Sequence, residues 1–181
     1  MFSTIEDFKS AVTGIAPLNK FRVIFSPNGR GKKKLNFFQK FNQNEYQYLV
    51  MNVSIPGQTL NPVSTNFWGI DKKIASGIYV DKPIMITWLC DHKMKIRTCL
   101  EEWIDMIFDK TTCTVSYFDD YVVDAVIQVL NRKLEIVKEY KLKDAWPTNI
   151  SSVNLSYAAN DEAMTFTSAF DYTFFEVTNY M

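Results

Sequence analysis

The last third of the chain alternates. From Met164 to Phe175, Met164, Phe166, Phe170, Tyr172 and Phe174 fall in one phase and Thr165, Thr167, Asp171 and Thr173 in the other. That period of two predicts one long strand with a single dry face. Ahead of it, Leu134–Tyr140 reads as a polar strand leading into the punctuation Ala145-Trp146-Pro147-Thr148-Asn149. The same alternation runs through residues 20–25, with Phe21, Val23 and Phe25 in phase, and through Tyr46–Ile55, with Leu49, Met51, Val53 and Ile55 in phase. Pro56-Gly57 is a turn signal that stops the second of these. Ile84–Leu89 follows Pro83 as a further strand, and Val115–Phe118 and Tyr121–Leu130 flank a turn at Asp119-Asp120.

The pattern changes period once with force. Ile96, Cys99, Leu100, Trp103, Ile104 and Ile107 make a helical stripe, with Lys95, Arg97, Glu101, Glu102 and Asp105 elsewhere, so a helix is predicted over 93–108 with Asp91 as its N-cap. A shorter stripe, Ile5, Phe8, Ala11 and Val12 behind the capping box Ser3-x-x-Glu6, predicts an N-terminal helix that Gly14 and Pro17 close. Residues 58–80 have no clean period and contain Pro62, Gly69 and Gly77, which leaves an irregular excursion or a loosely paired hairpin. Compact domains rarely carry so long a segment without a functional reason. The order helix, strands, one central helix, strands predicts a mostly β, antiparallel α+β domain. At 181 residues the chain is most simply one domain, 1–181.

Composition modifies this picture only in places. Aromatics at 15% are abundant enough to serve long strands or subunit interfaces. Lys and Arg balance Asp and Glu at 20 each, which argues against a free nucleic-acid binder and mildly favours self-association. The charge is polarised: residues 1–50 hold eight basic residues against three acids, and residues 101–181 six against fourteen. Cys90, Cys99 and Cys113 fit neither a metal motif nor a closed disulfide framework, and read as reduced, buried thiols of a protein made in cytosol. The start, Met1-Phe2-Ser3-Thr4-Ile5-Glu6-Asp7, is not a signal peptide, and no run approaches the length of a membrane span.

Candidate chemistry is sparse. His92 beside Asp91 could suggest a base and its orienter, but no nucleophile motif accompanies them, and a solvated helix end explains the pair. Asp119, Asp120 and Asp124 could form an acid pair, against a turn that needs such residues anyway. The basic run Arg30-Gly31-Lys32-Lys33-Lys34 lacks the order of a phosphate-binding loop and reads as a solvated loop or a contact to an acidic partner. Phe37-Phe38 and Phe67-Trp68 divide evenly between core satellites and subunit contacts. No catalytic, cofactor-binding or metal-binding residue is assigned. Such a chain reads as a scaffold or assembly subunit before an enzyme.

Leu142-Lys143-Asp144-Ala145-Trp146-Pro147-Thr148-Asn149-Ile150, followed by Leu155, Asn160-Asp161-Glu162, Thr165-Phe166 and Phe170-Asp171-Tyr172, resembles the C-terminal region of the tail tube proteins of T4-like contractile-tailed phages. Ile55-Pro56-Gly57, the strand Ile84–Leu89 into Asp91 and the helix reaching Trp103 resemble other parts of the same family. The resemblance implies two packed antiparallel sheets in a β-sandwich or half-barrel, flanked by one main helix and a short N-terminal helix. It implies homohexameric rings stacked into a tube inside a contractile sheath, with four strands per copy lining a channel that conducts double-stranded DNA without sequence specificity. The implied partners are further copies, the sheath protein, and baseplate and tail-terminator proteins. The implied location is the virion tail, after synthesis in the host bacterial cytoplasm. Inter-subunit contact elements are expected at 1–16, 58–80 and 176–181. The basic 29–40 region and the residues Glu176–Met181 beyond the aromatic strand depart from the family pattern. They leave open a baseplate tube-initiator or tube-terminal relative with the same fold.

Overall fold

The computed structural model describes residues 19–26, 46–157 and 163–180. The expected N-terminal helix, the 29–40 region with Lys32, Lys33 and Lys34, Phe37-Phe38 and Asn160–Glu162 lie outside the described residues. The elements are β1 (Phe21–Ser26), β2 (Val50–Val53), β3 (Gln58–Phe67), β4 (Ile70–Val80), β5 (Ile84–Leu89), α1 (Lys95–Ile107), β6 (Phe108–Asp109), β7 (Thr114–Val115), α2 (Phe118–Tyr121), β8 (Val123–Leu130), β9 (Ile136–Ile150), β10 (Thr165–Asp171) and β11 (Phe174–Asn179).

Seven of these strands form the body, in the order β1-β8-β9-β10-β5-β2 with β11 also on β9, and every pairing is antiparallel. The hinge of the architecture is β9. Its first half pairs with β8 and β11, its second half with β10. One strand thus passes from a first sheet (β1, β8, β9, β11) into a second (β9, β10, β5, β2), and the two sheets face each other across a shared core, the sandwich-like half-barrel expected.

Two irregularities let β9 make that passage. Leu142 and Ala145 are both buried although three residues apart, a spacing that strict alternation forbids. Asp144 absorbs the extra residue with φ 54, in the left-handed region that Asp tolerates better than most side chains. A second register shift falls where Ala169 faces Asn149 and Phe170 faces Pro147. Pro147 has no N–H to give to a ladder, and a bulge is where a sheet accommodates it. The Trp-Pro-Thr-Asn segment therefore lies inside a fifteen-residue strand instead of separating two strands. The closing strand is corrected in the opposite sense: Met164–Phe175 is interrupted at Tyr172-Thr173, giving β10 and β11. Phe166, Phe170 and Tyr172 are buried as the alternation requires, whereas Phe174 is exposed at the start of β11. Glu176–Asn179 are part of β11, paired to β9, and not an arm beyond the last strand.

The core is aromatic at its centre. Phe25 of β1 lies 5.2 Å from Phe170, 6.4 Å from Trp88 and 6.4 Å edge-on from Trp103, ring centre to ring centre, so one residue touches both sheets and the helix. Tyr46 joins them, and its hydroxyl accepts the Phe25 N–H at 3.2 Å. The predicted strand from Tyr46 is shorter than expected, because Tyr46 sits in a helical turn and pairing begins at Val50. The helix forms where its stripe predicts and buries Ile96, Leu100 and Trp103. Asp91 Oδ1 accepts the Lys95 N–H at 2.8 Å, but Met94, at φ 50, is the residue that enters the helix. The Asp119-Asp120 turn is the single-turn helix α2.

Candidate assembly surfaces

The residues weighed for catalysis do not converge. His92 is exposed ahead of α1, and the Asp91 carboxylate that might have oriented it holds the Lys95 N–H instead. Asp124 is separated from the α2 acids by its bond to Lys143 Nζ at 2.9 Å, which raises the lysine's pKa. The three cysteines are free thiols; Cys90 and Cys99 are half-buried, and Cys113, expected to be buried, is exposed in the turn before β7. Burial pushes the Cys99 thiol up to about 12. Among the described residues no three His, Cys, Asp or Glu side chains gather as a metal-binding group. No helix among them is long and apolar enough to cross a membrane.

Surfaces are where the molecule is informative. Of the two readings of 58–80, an irregular excursion or a loosely paired hairpin, the structure shows the hairpin: β3 and β4 pair at ten positions, with Ser76 an extra residue of β4 where the register shifts, and every residue of both strands except Val80 is exposed. Its turn is Trp68-Gly69, with φ 56 and 77, the pair of positive angles that a two-residue hairpin loop of matching twist demands. Asn66 braces the turn: its Oδ1 accepts the Gly69 N–H at 3.0 Å and its amide donates to Asp71 Oδ1 at 3.1 Å. Phe67 and Trp68 are 68% and 89% exposed, so this aromatic pair is no core satellite.

The root of the hairpin is clamped. The Asp81 N–H bonds the Gly57 carbonyl at 3.1 Å, and a side chain at Gly57 would collide with the Asp81 carboxylate. Tyr172, in the break between β10 and β11, donates its hydroxyl to the Asp81 carbonyl at 2.8 Å. Burial first, then the Asp81 and Asp171 charges, push that hydroxyl up to about 12. Lys82 donates to the Thr173 carbonyl at 3.2 Å, pairs with Asp171 at 3.6 Å and covers the Tyr172 ring.

The outer faces of the two sheets differ. That of the first sheet is charged: Lys143 meets Asp124, and Gln128 Nε2 donates to Glu139 at 3.0 Å while its buried Oε1 has no partner. Across the second sheet, Asn52, Thr87 and Thr167 stand in one row and Met85 and Ala169 in the next, with the Thr87 and Thr167 hydroxyls 3.3 Å apart. In that sheet β2, β5, β10 and the part of β9 paired with β10, Trp146–Ile150, include no lysine or arginine. Of the expected polar row, Thr165, Thr167 and Asp171 share one phase of β10, with Asp171 3.6 Å from Lys82 at the hairpin root, and Thr173 lies in the break that follows the strand. Among the described residues, β1, β11 and β2 each have one edge without a paired strand.

The family model for phage tail tube proteins matches residues 16–178. The chain belongs to the phage tail tube protein family. Members of this family are structural proteins of a tail tube. Solved structures with the same fold include a chain of the sheath–tube complex of the PVC extracellular contractile injection system in its extended state, at 15% identity over 99% of this chain and 100% of that one, with a TM-score of 0.64. The tube-terminating cap of the anti-feeding prophage aligns at 13% identity over 93% and 94%, with a TM-score of 0.67. The PVC sheath/tube terminator aligns at 14% over 92% and 99%, with a TM-score of 0.65. No curated protein matches the sequence. The sequence left a hairpin over 58–80 undecided against an irregular excursion, because the bulge breaks the period; the Asn66-x-x-Gly69 turn chemistry was the available signal.

Proposed function

We propose that this chain is the repeating subunit of the inner tube of a contractile phage tail, assembling as hexameric rings that stack into a channel for double-stranded DNA during ejection. The observation that carries the reading is the family match over nearly the whole chain, on a body whose sheets, among the described residues, end in unpaired edges and whose hairpin exposes apolar side chains to solvent. Sixfold closure joins one edge of each copy to a different edge of the next, which removes edges that would otherwise pair without control. The partners are the sheath around the tube, the baseplate beneath it and a terminator above it. The site of action is the virion, after assembly in the host cytoplasm. The contact elements are 1–16, 58–80 and 176–181.

The outer face of the second sheet suits the channel wall. A duplex must slide, and a dense Lys/Arg lining would hold it through many phosphate contacts; the row Asn52, Thr87 and Thr167 brings none. Electron microscopy of the purified protein, alone and with baseplates, tests the proposal: rings and hollow tubes with Thr87 and Thr167 toward the axis are expected. A chain that remains monomeric at high concentration and on baseplates overturns the tube, and a map that turns Thr87 outward overturns the lining. The structures of a tube-terminating cap and of an anti-feeding prophage baseplate with this fold support a second reading, a tube-terminal or baseplate tube-initiator protein. Copy number separates the two, since the repeating subunit is among the most abundant proteins of the particle.

A further inference from the structure

The β3–β4 hairpin leaves the body through a link where the backbone ladder lapses. On the body side, pairing of β2 with β5 runs out as the Ser54 N–H donates to the Met85 carbonyl at 3.1 Å. The Met85 N–H then turns to the Ser54 hydroxyl, at 2.9 Å, instead of a backbone carbonyl. On the hairpin side, pairing opens at Gln58↔Val80, just beyond the bond from the Asp81 N–H to the Gly57 carbonyl. Each strand of the link carries a proline, Pro56 on one and Pro83 on the other, and neither has an N–H to give to a ladder. Burial does hold the link close, since Pro56 is buried and Val80 packs against the core. Apolar burial is non-directional, so it does not by itself choose the angle at which the ribbon leaves.

Directional bonds reach the link from a third place, the break between β10 and β11. The Tyr172 ring is 1% exposed and lies edge-on to Phe175 of β11 at 6.3 Å, so its surroundings fix where the hydroxyl points. That hydroxyl donates to the Asp81 carbonyl at 2.8 Å. Lys82, the next residue of the link, donates to the Thr173 carbonyl, pairs with Asp171 and lies 5.2 Å from the centre of the Tyr172 ring. The corner is itself anchored, because the Thr173 N–H donates to the Lys143 carbonyl of β9 at 2.9 Å. Attachments at two adjacent residues, Asp81 and Lys82, resist a rotation that a single bond would permit. They are unequal. The Lys82–Asp171 pair is about one-third exposed on both sides and contributes little in water, whereas the Tyr172 hydroxyl is carried by a buried ring.

We propose that the corner between β10 and β11 sets the direction of the hairpin, with Tyr172 and Lys82 as its positioning residues. The device belongs to the single subunit, so a chain that forms no tubes leaves it untouched. The nine steps from root pair to tip pair span roughly 30 Å, and a swing of about 10° at the root moves the tip by about 5 Å. Spin labels on Thr65→Cys near the tip and on the native Cys113 of the body read that swing by double electron–electron resonance. Cys90 and Cys99 are replaced by Ala, and labelled chain is diluted in unlabelled chain so that only distances within one copy count. Tyr172→Phe keeps the buried ring, and water can reach the exposed Asp81, so the melting temperature should stay within a few degrees of the parent. The distance distribution should nevertheless shift or broaden by about 5 Å or more. Lys82→Met keeps an apolar stem over the Tyr172 ring and should broaden it less, and the double variant most. Parental distributions in Tyr172→Phe and in the double variant overturn the proposal and leave the direction to the backbone of the link. Broadening that comes only with a collapse of the melting temperature overturns it too, as general loosening. If Tyr172→Phe does not fold, Lys82→Met decides alone, and a parental distribution there is fatal.

Discussion

Trp103 shows how much one side chain can decide. It is fully buried, packs against Phe25 and Phe170, and its indole N–H donates to the Tyr121 carbonyl at 2.8 Å. It therefore fixes α1 to both the core and α2. Trp103→Ala is expected to destabilise the fold by about 3–5 kcal/mol in denaturant melts, the range for emptying an aromatic site. Trp103→Phe keeps most of the volume but strands the Tyr121 carbonyl, and about 1–3 kcal/mol is expected. Trp146, half-buried and edge-on to Tyr121 at 5.9 Å, should lose less on truncation, about 1–3 kcal/mol. A Trp146→Ala loss equal to that of Trp103→Ala would reverse the ranking drawn from their burial. The thiols separate in the same way. Alkylation requires thiolate, and burial holds Cys99 near 12 while Cys113 is open to solvent. With iodoacetamide at pH 8, peptide mass spectrometry should find Cys113 modified first and Cys99 only on unfolding; comparable rates would show that α1 opens far more often than its packing implies.

At the scale of elements, β9 carries the architecture and Asp144 carries β9. Both Leu142 and Ala145 point into the core only because Asp144 accepts a positive φ. Asp144→Gly should be neutral or slightly stabilising in melts, whereas Asp144→Val should lose about 1–2 kcal/mol, because a β-branched residue resists that conformation. Equal stabilities would mean that the bulge can migrate. The helix was legible from its stripe, since Ile96, Leu100 and Trp103 recur at helical spacing and are the residues it buries. The strand limits were less legible. Alternation continues through Tyr172 and Phe174, yet the chain bends there because Tyr172 is drawn to Asp81 across ninety-one positions of sequence, a contact no local pattern announces. The Pro147 segment misled in the other direction: a proline that looks like a strand terminator sits in a bulge, buried by the sheet around it.

For the whole molecule, folding and assembly are expected to reside in separate parts. The core cluster draws on β1, β5, α1, β8, β9 and β10, whereas β3 and β4 remain exposed along nearly their full length. Replacing residues 58–80 by a short turn between Gly57 and Asp81 should leave the melting temperature within a few degrees of the parent and abolish rings and tubes. A truncated chain that unfolds would place the hairpin in the folding unit; one that still polymerises would remove it from the interface. Salt offers a complementary check. If Lys72 meets acids of another copy at a solvated rim, tube yield should fall as ionic strength rises, since exposed pairs are screened beyond about 8–10 Å. Tubes indifferent to salt would point to contacts that are apolar alone.

The sequence by itself determined the class of this protein: period-two stretches, one amphipathic helix and the Trp-Pro-Thr-Asn neighbourhood sufficed for an antiparallel α+β fold and for the resemblance to tail tube proteins. Periodicity is local, so it survives in the linear order of residues. Tertiary structure alone decided that β9 serves both sheets, that the closing alternation is two strands, and that Leu60 and Ile74 face opposite ways on one hairpin. Each of these depends on a single extra residue, Asp144 in β9 or Ser76 in β4, or on one long-range bond from Tyr172. A one-residue offset reverses every side chain beyond it, and only the partner strand shows where that offset falls.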